Sequence, residues 1–219
     1  MYAQGVIFDP SNAASTDGST ATVNLGRANE LLMAELHGKY FTQCYRGNVY
    51  LASTTTAGVV IPIASTLTPT YSIWNPAGSG KLCVPIVTLI GWTATTAALG
   101  SFVWHVTTNA GAAIATGGAI SAFASVAAVN ANVGSGKVSA MRIGATGTNT
   151  LAAAATMYRE TGCMIIATTA ATAAAPGWVW RDEWDGTGIL PPGNAMHLLG
   201  TTAIAVGVTV STVYVELPL

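Results

Sequence analysis

Ile204-Ala205-Val206-Gly207-Val208-Thr209-Val210-Ser211-Thr212-Val213-Tyr214-Val215 is the stretch on which the fold turns. Ile204, Val206, Val208 and Val210 alternate with small or polar residues, the period of two expected of a strand with one buried face. Val213 and Val215 continue the alternation one residue out of phase, so a bulge is expected near Ser211. Tyr71 to Trp74 reads as a second, shorter strand, ended by the turn residues Asn75-Pro76-Ala77-Gly78-Ser79-Gly80.

The same reading gives strands at Asn48 to Ser53, Val59 to Ile63, Leu82 to Trp92, Phe102 to Thr107, Val138 to Ile143, Met164 to Thr168, Trp178 to Trp184 and Met196 to Leu199. Glycine, proline and Thr/Ser/Asn clusters punctuate them every 8 to 15 residues or so, with no βαβ rhythm and no internal repeat. The expected fold is all-β, a jelly-roll-like antiparallel β-sandwich with an N-terminal arm and one or two short helices. Residues 1–26 are polar and turn-rich and read as an extended arm; residues 27–219 read as one sandwich domain. Asn29 to His37 fits a short capped helix or a continuation of the arm. The Ala-rich run Leu151 to Tyr158 suggests a second helix.

Charge is scarce. Asp, Glu, Lys and Arg make up 8% of the chain, and none occurs between Lys81 and Lys137; an ordinary soluble domain has about 25%. A compact monomer of 22.2 kDa exposes roughly 9,400 Å², leaving about one charged side chain per 550 Å². Something must cover the apolar excess. The membrane reading fails locally: Pro85, Gly91, Gly100 and Thr93 to Thr96 interrupt the most apolar window, Leu82 to Trp104, and only Lys81 flanks it. Met-Tyr-Ala-Gln-Gly at the start has neither a basic nor an apolar signal region. A net charge of −1 offers no basic stripe for nucleic acid. Burial against other protein is therefore the expectation.

The chemical motifs are weak. Gly78-Ser79-Gly80-Lys81 lacks the first Gly and the final Ser/Thr of a phosphate loop and reads as a hairpin turn. Arg181-Asp182-Glu183-Trp184-Asp185-Gly186 holds three carboxylates that could bind Ca²⁺, but has no EF-hand spacing. Its plainer reading is a charged strand end before an Asp-Gly turn, where Arg181 could neutralise one carboxylate or meet a neighbouring subunit's. His37, His105 and His197 are scattered, and His105 suits a hydrogen-bonded sheet position. Cys44, Cys83 and Cys163 read as small buried hydrophobes. Trp74, Trp92 and Trp104 suggest core. Trp178, Trp180 and Trp184 share one parity and so one face, to be read as core, subunit interface or sugar platform, in that order. No cofactor and no catalytic residue is expected.

Several segments carry a resemblance: Glu30-Leu31-Leu32, His37-Gly38-Lys39-Tyr40, Arg46-Gly47-Asn48-Val49-Tyr50 and Trp74-Asn75-Pro76-Ala77-Gly78-Ser79-Gly80-Lys81. Asp185-Gly186-Thr187, Leu190-Pro191-Pro192-Gly193 and Val215-Glu216-Leu217-Pro218 complete it. In this order they make the chain, from about Leu25 to Leu219, resemble a family of small tailed-phage virion proteins of the capsid-decoration (cement) or head-fibre type. The resemblance implies a β-rich, non-enzymatic subunit on the virus head surface, made in the host cytoplasm and partnered by the major capsid protein. Closed oligomers suit the three-fold points of a capsid lattice, so a homotrimer is expected. The candidate subunit or capsid interface is Glu30, Leu32, Leu36, His37, Tyr40, Arg46, Trp178, Trp180, Arg181, Asp182, Glu183 and Trp184. The rivals are a fibre or receptor-binding module that stacks glycans on Trp178 and Trp184, a surface-array subunit, and last an enzyme.

Overall fold

The structure is a computed structural model that describes residues 4–6, 20–22, 39–93, 100–108, 120–122, 125–145, 149–151, 154–165, 179–202 and 207–219. Its first strands are β1 (Gln4–Val6) and β2 (Thr20–Thr22), followed by the short helix α1 (Phe41–Tyr45). Next come β3 (Val49–Ser53), β4 (Val59–Val60), β5 (Tyr71–Asn75), β6 (Lys81–Trp92) and β7 (Gly100–Thr108). Short strands β8 (Ile120–Ala122), β9 (Ser125–Val126), β10 (Val129–Asn130), β11 (Arg142–Gly144) and β12 (Thr150–Leu151) lead to β13 (Thr156–Ile165). The chain ends with β14 (Val179–Glu183), β15 (Asn194–Gly200) and β16 (Gly207–Pro218).

Two antiparallel sheets form the sandwich. The first runs β10-β3-β16-β6-β14, and the second β13-β7-β15-β5-β11-β9. Numbering β3, β5, β6, β7, β13, β14, β15 and β16 as one to eight gives sheet orders 1-8-3-6 and 5-4-7-2, the double Greek key of a jelly roll. Tyr50, Ala52, Ile90, Val208, Val210 and Tyr214 of the first sheet face Tyr71, Ile73, Phe102, Trp104, Met196 and Leu198 of the second in one apolar core. Within the segment expected to be an arm, β1 pairs antiparallel with β2.

β16 holds its phase throughout: Val208, Val210, Thr212, Tyr214 and Glu216 are all buried. The expected bulge near Ser211 is instead on the partner strand. The ladder jumps from Val213↔Val87 to Tyr214↔Pro85, leaving Ile86 as the extra residue. Pro85 cannot donate to a ladder, which suits it to that irregularity. Thr212 obscured the pattern because it is a polar residue facing inward, where its hydroxyl accepts from the Tyr71 hydroxyl at 2.9 Å.

Other expectations change. Residues 78–81 join β5 to β6, which belong to different sheets, so the turn is a crossover and not a hairpin. Asn75, fully buried, builds it by donating to the carbonyls of Lys81 and Leu190, both at 2.8 Å, and accepting from Ser79 Oγ. Of Val59 to Ile63 only Val59–Val60 is strand, and of Val138 to Ile143 only the end, within Arg142–Gly144. The expected helix at Leu151 to Tyr158 is not formed: Thr150–Leu151 is strand and Thr156 opens β13. Among the described residues the helix is Phe41–Tyr45, outside both expected positions. Asn29 to His37 lies outside the described residues.

Both lateral edges of the sandwich are closed. On one side the chain crosses directly from β9 in the second sheet to β10 in the first, through Ala127 and Ala128. On the other, side chains bridge β13 and β14: Trp180 Nε1 donates to the Thr161 carbonyl at 3.1 Å, and Arg159 donates to the Glu183 carbonyl at 3.4 Å. These ties join the two sheets at both lateral ends.

Candidate interaction surface

The Arg181–Gly186 cluster splits by strand parity. Asp182 and Trp184 point into the sandwich, while Arg181 and Glu183 point out. Inside, Trp104 Nε1 donates to Asp182 Oδ2 at 2.9 Å, and Arg159 of β13 pairs with Oδ1 of the same carboxylate. Burial pushes the Asp182 carboxyl above its usual pKa, and the Trp104 and Arg159 contacts oppose that rise. The Arg159 guanidinium lies 4.4 Å from the centre of the Trp184 ring, which meets Trp104 edge-on at 5.3 Å. Trp184 Nε1 donates to Thr88 Oγ1 at 3.3 Å.

Outside, Arg181 pairs with Glu183 at 2.7 Å, both exposed. Lys39 pairs with Asp185, which raises the lysine's pKa. Each of the three carboxylates thus has its own cation and its own direction, so they do not converge on a Ca²⁺-sized site. Asp185 (φ 44°) and Gly186 (φ 81°) form the expected turn with both residues left-handed.

Of the candidate interface residues, Glu30, Leu32, Leu36, His37 and Trp178 lie outside the described residues. Trp184 and Asp182 are core, which answers the ranking for Trp184. Trp180 shares their parity but is half-exposed at the sandwich corner. Tyr40 caps α1, and the Arg46 carbonyl accepts from Lys137 Nζ at 2.6 Å at its other end. The Lys39–Asp185 pair draws the start of α1 to the end of β14, so Tyr40 and the Arg181–Asp185 group lie on one flank. Trp104 is core as expected, Trp92 packs against the same cluster, and Trp74 is buried as expected, in a second cluster on the far face of the second sheet. Cys83 is fully buried with its thiol pKa pushed well up by burial; Cys44 is only half-buried, and the Cys163 side chain is outside the described residues. His105 hydrogen-bonds the Ala155 carbonyl at 3.0 Å, a sheet role as expected.

The feature that residue types alone did not reveal is the outer face of the first sheet. Ladder registers place Val129, Leu51, Val213, Val87 and Glu183 in one row across it. Ser53, Ser211, Leu89 and Arg181 form the next, and Thr209, Gly91 and Val179 a third. Val129 and Val179 are 62% and 63% exposed. Arg181 and Glu183 are the only charges on these rows, and they satisfy each other. At the β10 end the face sinks into a groove of about 510 Å³ lined by Leu51, Ser53, Ala127, Val129, Asn130, Ala131 and Val133. Val133 of this lining is 89% exposed, and Val138 further along the same loop is 86% exposed. Buried Glu216 fixes this loop: its carboxylate accepts from Ser139 Oγ at 2.5 Å and from the Ala140 N–H at 3.0 Å.

Among the described residues, no helix is long and apolar enough to cross a membrane. No protein-family model matches the chain, and no curated protein and no solved structure was found to match it.

Proposed function

We propose that this chain is a non-enzymatic virion structural protein of a tailed phage, a capsid decoration subunit that works as a homotrimer on the head lattice. The observation that carries this reading is the outer face of the first sheet. It is broad, half of the positions in its rows are aliphatic, its two charges pair with each other, and the described residues leave it uncovered. Depletion of charge marks the core of a subunit contact, and exposed aliphatic patches of this kind mark interaction sites. The jelly roll is used by viral capsid and lectin domains alike, so the architecture is compatible with the reading without deciding it.

The rival, a head- or tail-fibre module recognising host glycans, has less behind it. Sugar platforms need aromatic rings open to solvent beside polar groups. Trp184 is buried, Trp180 spends its N–H on Thr161, and the groove is lined mainly by aliphatic side chains.

Light scattering on the purified chain at two concentrations tests the proposal. A mass of three chains is expected, falling to one in the double variant Leu51→Asp/Val129→Asp, whose positions are at the surface and outside the core. The trimer should then co-sediment with empty, expanded phage heads. A wild-type mass of one chain at both concentrations, with no co-sedimentation, overturns it.

A further inference from the structure

A second polar system lies on the far face of the other sheet. β15 runs between β5 and β7, with His197 opposite Ser72 on one side and His105 on the other. His197 is fully buried, its Nδ1 2.7 Å from Ser72 Oγ and its Nε2 3.0 Å from Thr107 Oγ1. Residues 149–151 and 154–155 belong to a cover over this face. Leu151 and Ala155 pack with Trp74 and Ala195, His105 Nδ1 donates to the Ala155 carbonyl, and the Leu151 N–H donates to the Leu67 carbonyl at 2.7 Å. Asn149 sits directly over Gly144, where a Cβ would come within 2.3 Å of its amide.

Burial sets the direction of the relay. Asn149 Nδ2 spends its two hydrogens on the Pro69 carbonyl at 3.0 Å and on Ser72 Oγ at 3.5 Å. Ser72 is fully buried, and among the described residues the acceptor within reach of its hydroxyl hydrogen is His197 Nδ1, whereas Thr107 is less enclosed. Ser72 therefore donates to Nδ1, which leaves Nε2–H to donate to Thr107. The ring is neutral in this arrangement. A proton entering at Nδ1 meets the Ser72 hydrogen head-on, so Ser72 must turn and lose its acceptor. Asn149 Oδ1, buried and without a partner, can replace that acceptor only if the amide turns over. That breaks the bond to Pro69 and sets two oxygens against each other.

We propose that His197 is an acid-operated latch: protonation at Nδ1 reverses the Ser72 bond, turns out Asn149 and frees the cover from the second sheet, while the two-sheet core stays folded. Among the described residues the groups facing His197 are Ser72 from β5, His105 and Thr107 from β7, and Asn149 from the cover. Among the described residues no carboxylate reaches the ring to hold its charge, and the Arg142 guanidinium stands over nearby Trp74. Burial, with His105 beside it, holds the His197 pKa at about 3, against ~6.5 for an open imidazole. The closed state thus disfavours the proton. The cover is fully held above about pH 6.5 and loosens about tenfold per pH unit as pH falls toward the closed-state value.

Amide exchange of the full chain, corrected for the intrinsic effect of pH, tests this. Between about pH 6.5 and about pH 4.5 the opening of peptides spanning 149–155 should rise about 50-fold, with β6 and β16 unchanged. His197→Gln, which can still accept from Ser72 and donate to Thr107, should remove the pH dependence even if the cover is weaker. An equal slope in His197→Gln, or a wild-type change under about threefold, overturns the latch. Should that variant fail to fold, nitrogen-15 spectra of the wild-type imidazoles decide: a neutral Nε2–H tautomer that persists while the cover is closed supports it. Protonation near pH 6.5 with the cover still closed overturns it.

Discussion

Asp182 shows what a buried charge costs and what keeps it in place. Its side chain is inside the sandwich, where an unpaired carboxylate is not tolerated, and it survives on two contacts from the other sheet, Trp104 Nε1–H and the Arg159 guanidinium. Asp182→Ala leaves the indole N–H unsatisfied and strands the guanidinium against Trp184. Arg159 is a quarter exposed, so water softens the loss; the expected destabilisation is about 2–4 kcal/mol by urea titration. Asp182→Asn keeps the shape and should cost less. Gly188 is a second pressure point, since a Cβ there would stand 2.8 Å from two carbons of the Trp184 ring. With Trp184 fully enclosed the ring cannot yield, so Gly188→Ala should lose about 1–3 kcal/mol, and each kcal/mol should lower the thermal midpoint by about 2–4 °C.

Among the elements, legibility in the sequence followed regularity of the ladder. β5, β6, β7, β14 and β15 were readable because apolar runs of strand length stood between turn residues. β13 was legible only at its end, Met164–Ile165, because it breaks its own alternation twice. Register shifts fall between Met157 and Arg159, leaving Tyr158 extra, and between Glu160 and Met164. Tyr158 uses its freedom to stack on Trp184 at 6.3 Å and to reach the Thr187 carbonyl with its hydroxyl. The alanines before it then drew the reading toward helix. The latch histidine was hidden for a related reason: His197 faces a second buried layer, and nothing local distinguishes such a residue from one that faces water. Of the candidate interface, the Arg181–Asp185 group was legible as a charged strand end, but its division between inside and outside needed the strand's parity. Arg159, the residue that closes the β13–β14 corner, lies just past the run read as helix, Leu151 to Tyr158, in a stretch given no element. Arg159→Ala should therefore speed amide exchange in 156–161 and 179–183 together, and leave the β6–β16 ladder protected. Unchanged exchange at both strands would mean that Trp180 alone closes the corner.

At the scale of the molecule the question is what so few charges permit. The rows through Leu51, Val213, Val87 and Leu89 offer apolar area and backbone already paired on both sides, so a partner gains by covering the face and not by adding a strand. Association through such a face is driven by release of water from apolar surface. It should therefore hold or tighten as salt rises from about 0.1 M to about 1 M, where a Debye length of about 3 Å would have dissolved a charge-steered contact. Sulfate should strengthen it further, being excluded from the surface. Sedimentation velocity across that salt range reads the effect directly. Dissociation on adding salt would place the contact on the charged flank of Lys39, Arg181, Glu183 and Asp185 instead. Val129→Lys separates the two cases. It puts an unpaired cation at the β10 end of the rows, at the opposite edge of the sheet from the Arg181–Glu183 pair on β14, so it should weaken the oligomer at every salt concentration if the face is the contact, and leave it intact if the flank is.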